Sequence, residues 1–245
     1  MSIVDKFRPR SRLREVGQMS TELARLKNAL LRENDLFRGL TGPEMESIGE
    51  RLPMATARTG QLIYSPGQTG EALFLLKTGR VRIYRLAADG RKIVLATVEP
   101  GTAFGEMSLL GESMTGSFAE AMEDCTVCVM SRIDVEEIMR GHPEVAIHLT
   151  EIVADRLRRT EDLLQAVAFE AVPVRLARLL IGLSGEKDEI RGFSHQELAD
   201  MVGTSRETVS RALVDPKNQG VIDIDRRSIA IIDRATLRQR LADPS

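Results

Sequence analysis

The chain has 245 residues, 42% hydrophobic and 29% charged, with a formal net charge of -2 at pH 7. That length supports two modest domains, each with its own core, and the composition excludes a disordered or fibrous protein. The charge balance excludes a global field that attracts nucleic acid, so any such affinity must come from local placement of arginines.

In chain order, residues 1 to about 20 are basic and weakly patterned, with Lys6, Arg8, Arg10, Arg12 and Arg14, and are expected to form a solvated arm. They lack the apolar core of a signal peptide, and no apolar run approaches the roughly 20 residues of a membrane span. A cytoplasmic protein without membrane contact is expected. Leu23, Leu26, Leu30 and Leu31 share one helical face, and Thr41-Gly42-Pro43-Glu44 reads as the start of a second helix carrying Met45, Ile48 and Leu52.

Between residues 55 and 132 the hydrophobic period drops to two. Segments 62–64, 72–76, 81–86, 93–98 and 126–130 read as strands, divided by Pro66-Gly67, Thr78-Gly79, Asp89-Gly90 and Pro100-Gly101. Many short strands predict a small antiparallel barrel or jelly roll able to enclose a ligand. Gly105-Glu106-Met107-Ser108 interrupts it: backbone amides at such a turn can cradle an anion, and Glu106 can accept from a ribose hydroxyl.

A helix is predicted from Pro143 to Phe169. Along it Val153, Leu157, Thr160, Leu164 and Val167 step by four and three, a narrow seam that calls for a partner helix. Arg156, Arg158, Arg159, Glu161 and Asp162 flank the seam and can set its register.

Residues 194–211 read as two short helices joined by a glycine turn. Ser194 with Glu197 forms a capping box; Leu198, Ala199, Met201 and Val202 supply an apolar stripe; Gly203 closes the first helix; Thr204 or Ser205 caps the second. In a helix-turn-helix the second helix enters the DNA major groove and its first turns reach base edges. The side chains so placed are Arg206, Glu207 and Arg211, joined by Ser205, Thr208 and Ser210. Arginine can take both acceptors of a guanine and glutamate can accept from the cytosine amino group. Ser194, His195 and Gln196 can donate to phosphates. For an isolated pattern of this kind a solvated, salt-bridged helix face is the plain alternative. Residues 221–224 and 229–232 then read as two strands of a wing, with Arg226 and Arg227 at its tip. Asp215-Pro216 should end or kink the second helix early.

Gly67-Gln68-Thr69-Gly70-Glu71-Ala72-Leu73-Phe74, Lys77-Thr78-Gly79-Arg80-Val81, Phe104-Gly105-Glu106 and Gly203-Thr204-Ser205-Arg206-Glu207-Thr208-Val209-Ser210-Arg211 carry a family resemblance. From about Leu36 onward the chain resembles the superfamily of the cyclic-AMP receptor protein and the fumarate-nitrate regulator. The resemblance implies an α+β fold, with a cyclic-nucleotide-binding-type β-roll over 36–142, a dimerisation helix over 143–170 and a winged helix-turn-helix over 171–245, behind the basic arm and helix read over 1–35. It also implies a homodimer on double-stranded DNA with a palindromic TGTGA-like site. An activator that recruits RNA polymerase is one expectation for such a regulator and a repressor the other, because no activating surface is legible in the residues.

Departures from the family pattern bear on what the β-roll senses. The resemblance assigns the effector pocket to Gly105, Glu106, Met107, Ser108, Gly116, Ser117 and Thr160. Where cyclic-AMP-binding members carry an arginine for the cyclic phosphate, this chain has Gly116, and the neighbouring helix position is Glu161, whose carboxylate repels a phosphate. Weak or absent cyclic-AMP binding is expected, with no other cofactor or metal identified. Iron-sulfur members need a cysteine cluster, whereas only Cys125 and Cys128 exist here, expected as core or surface residues. None of His142, His148 and His195 lies in the sensor strands where a haem ligand would stand. Two other function classes compete: a signalling module responsive to a cyclic nucleotide or other small ligand, whose winged helix mainly contacts protein, and an enzyme. No nucleophile, base and orienter can be assembled for the latter.

Overall fold

The computed structural model describes residues 34–66, 72–105, 116–225 and 228–241. The arm, the 23–31 helix, the 106–108 turn and the wing tip at Arg226 and Arg227 lie outside these. By internal packing the described chain forms two compact units: one runs to Tyr84 and resumes over Ala96–Arg158, and the other comprises Arg85–Leu95 and the residues from Arg159 onward.

The first unit starts at Asn34, which is buried: its Oδ1 accepts from the Leu36 amide at 3.0 Å while its amide group donates to the Gly101 carbonyl. This turn delivers Leu36 and Phe37 into the core. Helix α1, Gly42–Arg51, is opened by Thr41, whose backbone N–H donates to Glu44 Oε2 at 2.7 Å. Eight strands follow: β1 (Met54–Ala57), β2 (Leu62–Tyr64), β3 (Ala72–Thr78), β4 (Val81–Leu86), β5 (Lys92–Val98), β6 (Ala103–Phe104), β7 (Phe118–Ala121) and β8 (Cys125–Ser131). They form two four-stranded sheets ordered β1-β8-β3-β6 and β2-β7-β4-β5. Leu73 and Leu75 of β3 pair with Met130 and Cys128 of β8, and this face packs under Leu36, Phe37, Met45 and Ile48. The opposite face turns inward: Phe74 stacks on Phe104 with centroids 5.1 Å apart, and Tyr64 from the other sheet lies 6.2 Å from Phe74. Burial on both faces explains why β3 reads as an apolar run rather than an alternation.

Helix α2, Arg132–Gly141, is capped by Ser131 with Asp134, and α3 runs from Pro143 to Phe169 with the predicted bounds. Cys125 and Cys128 are both buried and unlinked, and burial pushes the Cys125 thiol up from its ordinary pKa. Among the described residues no helix is long and apolar enough to cross a membrane.

The second unit contains α4 (Val172–Ser184), β9 (Glu189–Arg191), α5 (His195–Val202), α6 (Arg206–Ala212), α7 (Val214–Asn218), β10 (Ile222–Asp225), β11 (Ser228–Ile231) and α8 (Arg234–Gln239). The strands form one sheet ordered β10-β11-β9, and Leu176, Leu180, Leu198, Val209, Ile222 and Ile231 build one core beneath helices and wing.

Gly79 turns the chain between β3 and β4 at φ +84°, and a Cβ there would stand 2.6 Å from the Asp124 carbonyl oxygen and 2.6 Å from Cys125 Sγ. Gly79→Ala is expected to destabilise the β-roll by about 2 kcal/mol or more, read as a lower urea midpoint; an unchanged midpoint would contradict this packing.

Candidate nucleic-acid interface

Local rules build the two-helix unit. Ser194 opens α5: its Oγ accepts from the Glu197 amide at 3.2 Å and its own N–H donates to Glu197 Oε2 at 2.8 Å. Gly203 ends the helix in the left-handed conformation, φ +74°, so that its N–H and that of Thr204 both reach the Ala199 carbonyl, at 2.9 and 3.0 Å. Of the two residues able to cap α6, Ser205 does so, accepting from the Thr208 amide at 3.2 Å. Arg175 of α4 steadies the turn, donating through Nη1 to the last α5 carbonyl, Val202, at 2.7 Å.

Val209 is fully buried and Leu213 nearly so, which fixes the rotation of α6. Arg206, Glu207 and Arg211 are therefore exposed on the other side. Their polar neighbours have structural tasks. Ser205 caps the helix, its hydroxyl 3.0 Å from that of Thr208, and Ser210 Oγ lies 2.8 Å from His195 Nδ1, tying α6 to the first residue of α5. Gln196 donates through Nε2 to the buried Asp200 at 2.7 Å. Asp200 and Arg175 were not singled out from the sequence: a lone Asp or Arg at a helical position carries no signal until its packing partners are known.

An open groove of about 650 Å³ separates the two-helix unit from the wing. Ser194, His195, Gln196 and Arg206 form one side, and Ile224 and Asp225 of β10 with Ser228 and Ile229 of β11 form the other, with Phe193 at the end. It thus joins three predicted phosphate donors to a predicted base reader, and adds a wing wall that strand alternation alone did not identify. A hydrogen bond from its own backbone N–H, then one from Ser205, and the nearby Arg206 charge hold the Glu207 carboxyl below the ordinary carboxylate range. The group is then an anion, an acceptor only, throughout the neutral range. The associated stability is present above the ordinary carboxylate pKa and is lost as pH falls through the lowered one.

As expected from Asp215-Pro216, α6 stops early, at Ala212. Pro216 falls in the first turn of the separate short helix α7, where its missing N–H leaves no helix bond unmade, and its ring is buried.

Of the predicted effector residues, Gly105, Gly116, Ser117 and Thr160 are described, whereas Glu106, Met107 and Ser108 are not. Gly105 is buried beside the Phe74 ring, Ser117 is half-buried, and Gly116 and Thr160 are exposed. On α3 the seam is open in the single chain: Leu157 is 59% exposed, Leu164 67% and Val167 38%, with Val153 half-buried. His142 caps the end of α2, and His148 Nδ1 lies 3.2 Å from the Leu36 carbonyl.

The chain matches the model of the cyclic nucleotide-binding domain over residues 55–142 and that of the Crp-like helix-turn-helix domain over 174–240. It is 34% identical over 213 residues to the cyclic AMP receptor protein of Thermus thermophilus, covering 85% of this chain and 97% of that one. It is 29% identical to the CRP-like cAMP-activated global transcriptional regulator of Mycobacterium tuberculosis, covering 86% of this chain and 98% of that one. Among solved structures, FixK2 from Bradyrhizobium japonicum matches with a TM-score of 0.68 and 27% identity over 79% of this chain and 99% of that one.

Ser205→Ala removes the α6 cap and is expected to destabilise the second unit by about 1 kcal/mol in urea melts, with Ser205→Asn close to the wild type. Equal losses for both substitutions would contradict a capping role.

Proposed function

Since the chain belongs to the Crp/Fnr superfamily of transcription regulators, we propose that it acts as a homodimer reading a palindromic, TGTGA-like promoter site. The observation that carries this is the placement of Arg206, Glu207 and Arg211 together on the exposed side of a helix whose other side is anchored by Val209. Two arginines and an ionised glutamate suit guanine and cytosine edges. The groove beside them is lined by His195 and Gln196 in the first turn of α5, whose backbone N–H groups can donate to a phosphate. The chain's overall charge of -2 means that recognition depends on these few contacts.

The exposed seam on α3 supports the homodimer, because apolar residues repeating by four and three on an open helix face are satisfied by a second copy of that helix. RNA polymerase is the partner through which promoter binding would change transcription, and a cytoplasmic location follows from that role.

The β-roll is proposed to work without cyclic AMP. Two relatives carry that nucleotide in their names, but Gly116 supplies no guanidinium for a phosphate, Glu161 adds a carboxylate, and Tyr64, Phe74 and Phe104 occupy space between the sheets.

Arg206→Ala and Arg211→Ala should each cost about 1–3 kcal/mol of specific DNA affinity and relax discrimination at one base pair, measured by titrating single-base variants of the site at fixed salt. Equal losses on site and scrambled DNA would instead mark both as phosphate contacts. Leu157→Asp with Leu164→Asp should convert the dimer to a folded monomer in sedimentation, and a dimer that persists would contradict the seam.

A further inference from the structure

We infer that Arg156 of one protomer and the partner's Glu161 form an ion pair across the α3 seam, made twice by symmetry, which sets the register of the dimer; this rests on the homodimer reading above.

The seam defines a heptad frame. Leu157 and Leu164 take the a positions, and Val153, Thr160 and Val167 the d positions. Two side chains at a are more than half exposed in the single chain, and a second copy is the occupant that this spacing fits. Its direction follows from what comes next. The first helix of the reader, α4, begins at Val172, three residues after α3 ends at Phe169. A parallel pair lets both readers leave the seam at the same end, side by side on one face of DNA, and this is the direction taken for α3.

In a parallel pair, the g position of one helix meets the e position of the other five residues further on. The g positions here are Arg156 and Leu163; the e positions are Ala154, Glu161 and Ala168. The combination at aligned register is therefore Arg156 against the partner's Glu161, of opposite sign, while Leu163 meets the partner's Ala168. Sliding one helix by a heptad sets Arg156 against an alanine in either direction, so the charges are matched in one register only. Within one chain the two residues are five apart, beyond the three- and four-residue spacings at which helix neighbours pair, and they flank opposite sides of the seam. Glu161 is exposed and Arg156 half-buried on its own chain. The seam is weakest in apolar terms at Thr160, between these two flanks, which is where an electrostatic restraint has most effect on register. Glu161, at a position the family resemblance ties to the effector, thereby gains a role in assembly.

The test uses the full-length chain with Arg156→Glu and Glu161→Arg. Each variant alone places like charges across both flanks and should dimerise about fivefold to thirtyfold more weakly than the wild type, with the deficit shrinking in high salt. Mixed together, the two variants should form heterodimer well above the statistical share in native mass spectrometry, because both flanks then match. The double variant Arg156→Glu/Glu161→Arg should regain near-wild-type dimerisation, which also controls for folding. A wild-type dimer whose single variants dimerise equally well and mix statistically would overturn the ion pair while leaving the homodimer reading intact. A wild-type chain that is monomeric at all accessible concentrations would overturn both.

Discussion

Burial of Val209 beneath a helix of only two turns is the contact on which the rest of the reader depends. An isolated seven-residue helix is far below the length at which helices persist in water, so α6 exists because its apolar side is docked on α5 and α4 and its ends are capped. The same docking sets its rotation. With Val209 and Leu213 inward, the residues one turn apart on the other side are Glu207 and Arg211, beside Arg206. A polar side chain at position 209 would cost several kcal/mol in an environment with no partner for it, and would release the orientation of all three exposed groups together. The Gly203 turn and the Arg175 bond to Val202 brace the same geometry from the other end.

The first unit solves a different problem, that of filling a small roll. Both faces of β3 are covered, one by the helices and the other by Tyr64 and Phe104. The two units meet their requirements independently, each with its own core, while α3 carries an apolar strip that neither core absorbs.

Legibility in the sequence followed the range of the interactions. The limits of α3, the capping box at Ser194, the glycine turn and the end of α6 before Pro216 depend on residues within four or five positions, and all could be read directly. The strands β1, β6, β7 and β9 could not. Met54-Ala55-Thr56-Ala57 and Phe118-Ala119-Glu120-Ala121 show little hydrophobic alternation, and they become strands because β8 and β4 offer them hydrogen bonds. The exposed trio of the reader was equally legible, whereas the division of labour around it was not. The Ser205 cap was offered by the sequence beside Thr204, whereas the approach of His195 to Ser210 and of the Ser205 hydroxyl to that of Thr208 shows only in the folded helices. Asp200 and Arg175 belong to the same class, because their partners, Gln196 and the Val202 carbonyl, give them meaning.

Sequence-specific, cyclic-AMP-independent DNA recognition by two readers at once is the function proposed for the dimer. It is tested most directly by titrating the purified full-length chain against a palindromic TGTGA-type duplex and a scrambled duplex at one stated salt concentration, with and without cyclic AMP. Binding to the palindrome is expected to be at least about a thousandfold tighter than to the scrambled duplex and unchanged by the nucleotide. Equal affinity for the two duplexes would contradict the reader, and specific binding that appears only with cyclic AMP would contradict the account of the β-roll.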